Sequence, residues 1–391
     1  MTDVVLFSTA DWATRYWTNK QHMATALARR GSRVLYVETT GIRQVRLSDR
    51  RDLRRLVRRL VSGLGTFVAG PSPVAANIWR LSPLALPWGR SHAIVRRLNT
   101  ALLSWSVARF VRRHRFDRPQ VWTYHPFMLT AIADLPIGPL IYHNVDDISA
   151  VPGVDARAFR SAEIDLLKRS DVVFVTARTL EERSRRDNRN VHFFPNVADA
   201  GHFGTAFSAT EPADLRDIPH PRLGYHGVLS DTKIDAGLLH TLAIRHPDWH
   251  IVLIGDEREG QPPEQFGPLR ALPNVHFLGG RDYAQLPAYL GGFDVGLLPL
   301  ARNAYTASMY PMKLFEYLAA GVPVVSTDLP FVHDAGSAVA IAADADSFID
   351  RVAQQLARGR LSPAEAQAAI GDNTWDRRLD KMLAIVAELG K

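Results

Sequence analysis

A lysine and a glutamate three residues apart, Lys313 and Glu316, stand where a helix is predicted to begin. Pro311 favours a helix start, because the missing N–H of proline costs nothing in the first turn. A helix N-terminus attracts phosphate, and Lys313 adds a full positive charge beside it. Glu316 lies one turn deeper, where a carboxylate can accept hydrogen bonds from two neighbouring hydroxyl groups, as on a ribose. A surface Lys–Glu pair on an amphipathic helix is the alternative explanation for this spacing.

Two adjacent aspartates, Asp146 and Asp147, follow a predicted strand at Leu140–Tyr142. Ligands bind at the carboxyl ends of strands in folds that alternate strands and helices. A carboxylate in that position can act as a general base that removes a proton from a hydroxyl group. Either aspartate can instead cap the turn or helix that comes next.

Four further loops follow predicted strands and hold weaker candidates. After the first strand come Asp11, Trp12 and Arg15, which can contact a sugar ring or a phosphate, although a packed loop explains them as well. His125 follows another strand, and a structural role is the alternative for a single histidine. Later in the chain, Gly227 has no side chain and would allow the backbone to approach a phosphate closely. Val228 shares that loop, and Leu278–Gly280 form a similar loop after the next-but-one strand.

The elements that position these residues are short apolar strands that alternate with helical segments. Predicted strands lie at 4–8, 34–37, 121–124, 140–142 and 172–175, and the pattern restarts at 222–225, 251–254, 275–278, 295–298 and 322–326. Such alternation predicts parallel sheets in an α/β fold. We expect two Rossmann-like domains, 1–205 and 206–372, and a C-terminal helix within 373–391 that can pack back on the first domain. One large sheet is the alternative.

Composition excludes several classes of protein and divides the chain by charge. No cysteine is present, which excludes a disulfide scaffold, a cysteine-ligated metal and a thiol nucleophile. The sequence contains neither a Walker A motif nor a GxGxxG motif after a predicted strand, so ATP or NAD binding lacks its usual sequence support. Residues 1–118 hold 22 basic against six acidic residues, and the rest of the chain holds 25 against 34.

The basic charge is concentrated in Arg43–Val61, which has the pattern of a basic amphipathic helix. We expect this segment to bind an anionic membrane surface, with an ordinary solvated face as the alternative. No recognised nucleic-acid fold accompanies the charge, so no nucleic-acid partner is expected. No secretion signal or run of about 18 apolar residues is visible, and a cytoplasmic protein on the inner face of the plasma membrane is expected.

The string Tyr310–Thr327, with its pattern KxxEYLAAGxPVV, resembles the donor-nucleotide signature of GT-B glycosyltransferases, especially family 4. The resemblance implies two Rossmann-like domains that face each other across a cleft, the second of which holds a nucleotide-sugar. It implies donor contacts from Tyr310, Met312, Lys313 and Glu316, from Gly227 and Val228 at the phosphates, and from Leu278 and Gly280 at the base. It also implies that neither a metal nor a cofactor is needed besides the donor, expected to be UDP-linked.

One position departs from the family 4 pattern. Ser308 stands where many members carry a second glutamate, eight residues before Glu316. The departure is similar to a variant group that includes the inverting xanthan glucuronosyltransferase. That resemblance implies Asp146 as the general base and Asp147, which replaces a glycine, as a cap or orienting partner. It also implies an acceptor side formed by Asp11, Trp12 and Arg15, and His125 joins these candidates because of its position after a strand.

The sequence thus predicts a metal-independent hexosyl- or glucuronosyltransferase. We expect transfer, with inversion, to a hydroxyl of a lipid-linked saccharide during exopolysaccharide assembly. Two alternatives remain open: a retaining family 4 enzyme with a soluble acceptor, and a non-catalytic protein that binds sugar nucleotides.

Overall fold

The protein was analysed as a computed structural model that describes residues 2–38, 61–85, 93–151, 153–257 and 266–389. The chain forms two compact units. The first contains Met1–Thr176, Leu180–Phe194 and Leu379–Lys391, and the second contains Ala177–Thr179 and Pro195–Arg378. The predicted basic segment at 43–60 lies outside the described residues, and only its last residue, Val61, is described.

An eight-stranded sheet forms the centre of the first unit among the described residues. Its order is β3-β4-β2-β1-β5-β6-β7-β8, and every neighbouring pair is parallel except β3 and β4. The strands are β1 (Asp3–Phe7), β2 (Arg33–Val37), β3 (Ser72–Ala75), β4 (Ile78–Leu81), β5 (Gln120–Thr123), β6 (Leu140–Asn144), β7 (Val172–Val175) and β8 (Val191–Phe193).

Helices connect these strands, as parallel pairing requires. They are α1 (Asn19–Arg29), α2 (61–69), α3 (Ala93–Arg113), α4 (Ala156–Arg169) and α5 (Arg178–Ser184), with 3-10 turns at Pro126–Ala131 and Ile148–Ala150. Thr18 and Gln21 form a capping box that begins α1, and Gly31 ends it with a positive φ of 82°.

The part of the second unit that the structure describes holds a six-stranded parallel sheet in the order β11-β10-β9-β12-β13-β14. The strands are β9 (Arg222–His226), β10 (His250–Ile254), β11 (Val275–Phe277), β12 (Val295–Leu298), β13 (Val324–Thr327) and β14 (Val339–Ala342). Leu223, Leu253, Leu297 and Val325 bring the four central strands into one apolar core. Burial on both faces explains why these strands read as continuous apolar runs.

The helices that cover this sheet are mostly short. They are α6 (Ala200–Gly204), α7 (Ala213–Arg216), α8 (Ala236–Arg245), α9 (Gly267–Arg270), α10 (Leu286–Gly291), α11 (Ala304–Ala307), α12 (Lys313–Ala319), α13 (Pro330–Asp334), α14 (Ala345–Arg358) and α15 (Pro363–Ile370), with 3-10 turns at Thr205–Phe207, Tyr283–Gln285 and Gly336–Ala338. The last helix is α16 (Trp375–Glu388). Phe348, Ile349 and Val352 of α14 join the core of the sheet.

The predicted α/β fold with two parallel sheets is confirmed, and the alternative of one large sheet is wrong. Apart from Ala177–Thr179, the second unit begins at Pro195, whereas the sequence predicted the boundary between residues 205 and 206. Most of α16 groups with the first unit, where Asp380 accepts a 2.9 Å hydrogen bond from Arg30. None of the described helices has both the length and the apolar character needed to cross a bilayer.

Candidate functional site

The helix predicted at Lys313 is present, and it buries its glutamate. α12 begins at Lys313, two residues after Pro311, and Glu316 is only 5% exposed. A surface Lys–Glu pair therefore does not describe this helix. Lys313 itself is half-buried, and its ammonium lies 5.5 Å from the centre of the Tyr225 ring at the end of β9.

Gly227 makes room for the lysine. A Cβ atom at this position would lie 2.4 Å from Lys313 Cε and 2.7 Å from Lys313 Nζ. The backbone at Gly227 also has a φ of +122°, a conformation that side chains rarely adopt. Space and backbone conformation both require glycine, and both place the ammonium against the loop that follows β9.

Glu316 lies beside His226, the residue before Gly227, which the sequence analysis did not single out. Glu316 Oε2 and His226 Nε2 are 3.2 Å apart, although they are not aligned for a hydrogen bond. Burial raises the pKa of Glu316 to about 7, against the opposing effect of Lys313. Burial, followed by the charge of Lys313, holds the pKa of His226 well below its usual value. The histidine is therefore neutral, and the glutamate can change protonation near neutral pH.

Tyr317 attaches α12 to the sheet. Its hydroxyl accepts a hydrogen bond from the His226 N–H at 3.1 Å and donates one to the Gly224 carbonyl at 3.2 Å. The ring packs against Gly296 of β12, where a Cβ atom would lie 2.7 Å from it. The sequence offered no signal for the two hydrogen bonds, since they join residues 91 and 93 positions apart. We call Gly227, His226, Lys313 and Glu316 the donor cluster.

The remaining donor candidates lie around this cluster in the second unit. The loops after β9, β10 and β11 are linked in turn, since Gly227 N donates to Ile254 O and Gly255 N donates to Gly279 O. This brings Leu278–Gly280 to the same edge of the sheet as Gly227. The Leu278 N–H donates to Leu253 O, so it is occupied within the sheet. Val228 is half-buried in the β9 loop.

Tyr310 and Met312 lead into α12. Tyr310 is buried, its ring stacks on Phe315 and its carbonyl accepts a 2.8 Å hydrogen bond from Asn196 Nδ2. Met312 is half-buried. Ser308, at the position of the missing glutamate, is buried and donates from its hydroxyl to Ala304 O at 3.2 Å within its own short helix.

The two aspartates of the first unit differ in their surroundings. Asp147 is buried and caps the 3-10 turn Ile148–Ala150, as the cap interpretation predicted. Its Oδ2 accepts a 2.6 Å hydrogen bond from Arg183. Burial would raise the pKa of Asp147, but the hydrogen bonds from Arg183 and Ser149 leave it below the usual value. Asp146 is only half-buried. We call residues 145–151 the aspartate loop.

The acceptor-side candidates follow β1 and β5. These two strands are neighbours in the sheet, and β6 is the next strand beside β5. Trp12 is half-buried, with its N–H donated to Glu38 and its ring edge against Tyr36. Asp11 is half-buried and Arg15 is exposed. His125 is buried, and its Nδ1 accepts the N–H of Phe127 to cap the following 3-10 turn. One of its two ring nitrogens is therefore engaged in the fold.

Two aspartates separated by one alanine, Asp344 and Asp346, follow β14, and both contact other side chains of the fold. Asp344 forms a capping box with Ser347 at the start of α14. Asp346 pairs with Arg245 of α8. Across the described residues, no group of three or more histidine, aspartate or glutamate side chains is arranged to hold a metal ion.

Two parallel-sheet units of this kind define the GT-B fold of glycosyltransferases. Three solved structures share it: sucrose-phosphate synthase from Thermosynechococcus elongatus (16% identity, TM-score 0.62, 100% of this chain and 98% of that one), HepE from Anabaena in complex with UDP-glucose (15%, 0.63, 98% and 100%), and α,α-trehalose 6-phosphate synthase from Burkholderia multivorans (14%, 0.67, 100% and 99%). At these identities the likeness concerns the fold.

A family of known proteins matches part of the second unit. Residues 221–358 match the family of group 1 glycosyl transferases, and this stretch contains the whole donor cluster. The chain is also 31% identical over 183 residues to TuaH of Bacillus subtilis (strain 168), a protein assigned as a glycosyltransferase of teichuronic acid biosynthesis. That similarity spans 44% of each protein, which is less than half of the relative's length.

Proposed function

We propose that this protein is a glycosyltransferase that binds a nucleotide-sugar at the donor cluster and transfers the sugar to a hydroxyl group. The observation that carries the proposal is the arrangement of Lys313, Gly227 and Glu316 within the stretch that matches group 1 glycosyl transferases. An ammonium packed against a glycine loop suits a diphosphate, and a buried carboxylate one turn away suits the two hydroxyls of a ribose.

Lys313 would stabilise the negative charge that develops on the departing diphosphate, which is the main electrostatic demand of the reaction. Glu316 would hold the ribose, and the loops at Gly227–Val228 and Leu278–Gly280 would contact the phosphates and the base. The proposed donor is UDP-linked, supported by the solved HepE complex with UDP-glucose in the same fold. Neither a metal nor a cofactor takes part in this scheme.

Asp146 is the proposed general base. It is half-buried at the carboxyl end of β6, whereas its neighbour Asp147 is occupied by Arg183 and by its role as a cap. Inversion is proposed because Ser308 replaces the second glutamate of the retaining pattern and donates its hydroxyl hydrogen bond within α11. Asp11, Trp12, Arg15 and His125 are the proposed acceptor side.

The proposed acceptor is a lipid-linked saccharide on an anionic membrane surface, the inner face of the plasma membrane. Support comes from α2 and α3 of the strongly basic first part of the chain. Six large apolar side chains are exposed on these two helices: Val61, Leu64, Val68, Ile94, Leu98 and Trp105. Arg96, Arg97, Arg112 and Arg113 are exposed on α3 as well. An exposed apolar surface bordered by arginines suits anionic lipid.

The donor is tested by thermal denaturation of the full chain with a panel of nucleotides and nucleotide-sugars that includes UDP-glucose and UDP-glucuronate. A bound ligand raises the melting temperature by mass action. We expect the largest shift with a UDP-sugar and its loss in Lys313→Met, with Lys168→Met on α4 of the first unit as the control. A shift that survives Lys313→Met would remove the proposed site.

Catalysis is tested with Asp146→Asn and a lipid extract as acceptor. We expect transfer to fall about 1,000-fold, within the usual range for a general base, while donor binding is retained. NMR of the product then shows the anomeric configuration. A retained configuration would replace inversion with the family 4 mechanism, and full activity of Asp146→Asn would remove the base assignment.

A further inference from the structure

A largely buried ionic network lies directly behind the aspartate loop in the first unit. Arg183 of α5 donates to Asp147 at 2.6 Å, and its Nη2 lies 3.5 Å from Glu163 Oε2 of α4. The side chains of Arg183, Asp147 and Glu163 are 26%, 8% and 4% exposed. Charges at this depth lose much of their hydration, and apolar side chains of similar size often stabilise a fold as well. The network therefore suggests a role beyond stability.

The network joins the loop to the three elements around it. Glu163 Oε1 accepts hydrogen bonds from Tyr142 Oη at 2.9 Å and from Asn144 Nδ2 at 3.1 Å, both on β6. Burial raises the pKa of Glu163, although the charge of Arg183 opposes this effect. Arg183 thus connects α5 to α4 and, through Asp147, to the segment that follows β6.

The residues on both sides of Asp146 are held by side chains from other elements. Before it, the Val145 carbonyl accepts a 2.9 Å hydrogen bond from Thr176 Oγ1. After it, Asp147 accepts the hydrogen bond from Arg183 of α5, and its Oδ1 also accepts the N–H and the hydroxyl of Ser149 within the loop, at 3.1 and 2.5 Å. The position of Asp146 is therefore set from outside the loop.

We propose that Arg183 is a positioning residue, which acts through Asp147 to hold Asp146 where its carboxylate meets the acceptor hydroxyl. This inference rests on the proposed role of Asp146 as the base. A displacement of about 1 Å at a reacting group can lower a rate about 100-fold. Glu163 acts one step further back, since it fixes the guanidinium against α4.

The test compares Arg183→Met with Arg33→Met in the full chain. Arg33 pairs with Asp3 at 2.7 Å, and the two side chains are 30% and 8% exposed, similar to those of Arg183 and Asp147. Arg33 and Asp3 are the first residues of β2 and β1, at the amino ends of the strands, whereas Asp147 follows the carboxyl end of β6 in the same sheet. We expect Arg183→Met to lower kcat about 100-fold with KM for the donor unchanged, and Arg183→Lys to recover part of it. Arg33→Met should leave kcat within about twofold of the native enzyme, because a rate changes only when the transition state is affected.

A triple variant separates positioning from stability. Arg183→Met leaves the buried Asp147 and Glu163 without their shared counter-ion, which destabilises the fold by itself. Arg183→Met combined with Asp147→Asn and Glu163→Gln removes all three charges and keeps an oxygen that can cap the turn. We expect the triple variant to recover melting temperature and not kcat. Recovery of both would show that the network serves stability alone and would overturn the proposal.

Hydrogen exchange of the loop amides provides a measurement that needs no substrate. We expect faster exchange at Ile148–Val151 in Arg183→Met and no change there in Arg33→Met, because local opening follows the loss of the contacts that hold a segment. Unchanged exchange together with native kcat would overturn the positioning role. Full turnover by Asp146→Asn would instead overturn the base assignment, and the exchange result would still show whether Arg183 holds the loop.

Discussion

Glu316 brings a carboxylate into the interior of the second unit, where charge is unfavourable. Burial raises its pKa to about 7 from an ordinary value of 4.5, despite the nearby ammonium of Lys313. Such a shift is typical of a functional site, because a group that served the fold alone would be apolar. His226 beside it stays neutral, so the pair gains no full ionic attraction in return. The proposed role in donor binding would account for a carboxylate at this position.

This pKa predicts how stability changes with pH. The folded-state pKa lies above the unfolded value, so Glu316 contributes stability below about pH 4.5 and loses that contribution as the pH rises through about 7. We expect Glu316→Gln to raise the free energy of unfolding at pH 8 by up to about 3 kcal/mol relative to the native chain, and to change it little at pH 4. Urea denaturation at both pH values measures this difference. An equal effect at pH 4 and pH 8 would contradict it.

Gly227 supports a second prediction at the scale of single residues. Alanine there would place a Cβ 2.4 Å from Lys313 Cε, at a φ of +122°. We expect Gly227→Ala to weaken donor binding at least about tenfold, because displacing Lys313 removes a charged contact worth about 1.5–3 kcal/mol. Gly359→Ala is the control, since φ is +78° there and no neighbouring atom lies within 4 Å. Equal loss of affinity in both variants would point to backbone strain and not to Lys313.

Among elements, α12 depends on Tyr317 for its attachment to β9. Removing the hydroxyl leaves the His226 N–H and the Gly224 carbonyl buried without that partner. An unsatisfied buried group costs about 1–3 kcal/mol. The same helix begins with Lys313 and contains Glu316, so its position is also the position of the donor cluster.

Tyr317→Phe should therefore lower the free energy of unfolding by about 1–3 kcal/mol. It should also weaken donor affinity about tenfold. Tyr36→Phe is the matched control in the first unit, where the hydroxyl contacts Ser8 at 2.6 Å and the Ala10 carbonyl at 3.0 Å. We expect the control to lose stability and keep donor affinity. Calorimetry with the donor, together with thermal denaturation, measures both. Native affinity in Tyr317→Phe would show that α12 holds its position without the hydroxyl.

For the whole molecule, the distribution of charge is the main feature. The net charge of +7 conceals 22 basic against six acidic residues in 1–118, and an acidic excess in the remainder. Of the described large apolar side chains that are exposed, six lie on α2 and α3 within the basic part. The excess of basic charge and most of the described exposed apolar side chains therefore lie in the same part of the chain.

We expect the full chain to sediment with anionic vesicles at low salt and to be released at high salt, as screening of surface charge requires. Leu64→Glu combined with Leu98→Glu should weaken vesicle binding at least about tenfold, since each buried leucine contributes about 1.5–3 kcal/mol. Ile244→Glu is the control, because Ile244 is similarly exposed but lies in the second unit. Binding to neutral vesicles with the same affinity, or equal loss in the control, would contradict the proposed membrane surface.

Local pattern was enough to predict most of the sheets. Every strand expected from an apolar run is present within two residues of its predicted bounds. The strands that were missed are β3, β4, β8 and β14. β3 contains Pro73 and alternates half-buried with exposed residues, so it lacks an apolar run. β4 and β8 are short and partly exposed, and their pairing depends on neighbours far along the chain.

Some residues of the candidate site were predictable from the sequence, but the side chains that contact them were not. Lys313 and Glu316 stood out because their spacing, with Pro311 before them, marks the start of a helix. His226 and Arg183 did not stand out, since they act on residues 90 and 36 positions away. No local periodicity encodes such contacts.

The sequence by itself determined the alternation of strands and helices, the start of α12, the separation of charge and the candidate aspartates, because these depend on residue type and spacing over a few turns. Only the tertiary structure decided that Glu316 is buried against His226 and that Asp147 is held by Arg183 while Asp146 is not enclosed to the same degree. Burial and ion pairing depend on which distant elements pack together. Those contacts set the pKa values and the geometry on which the proposed chemistry depends.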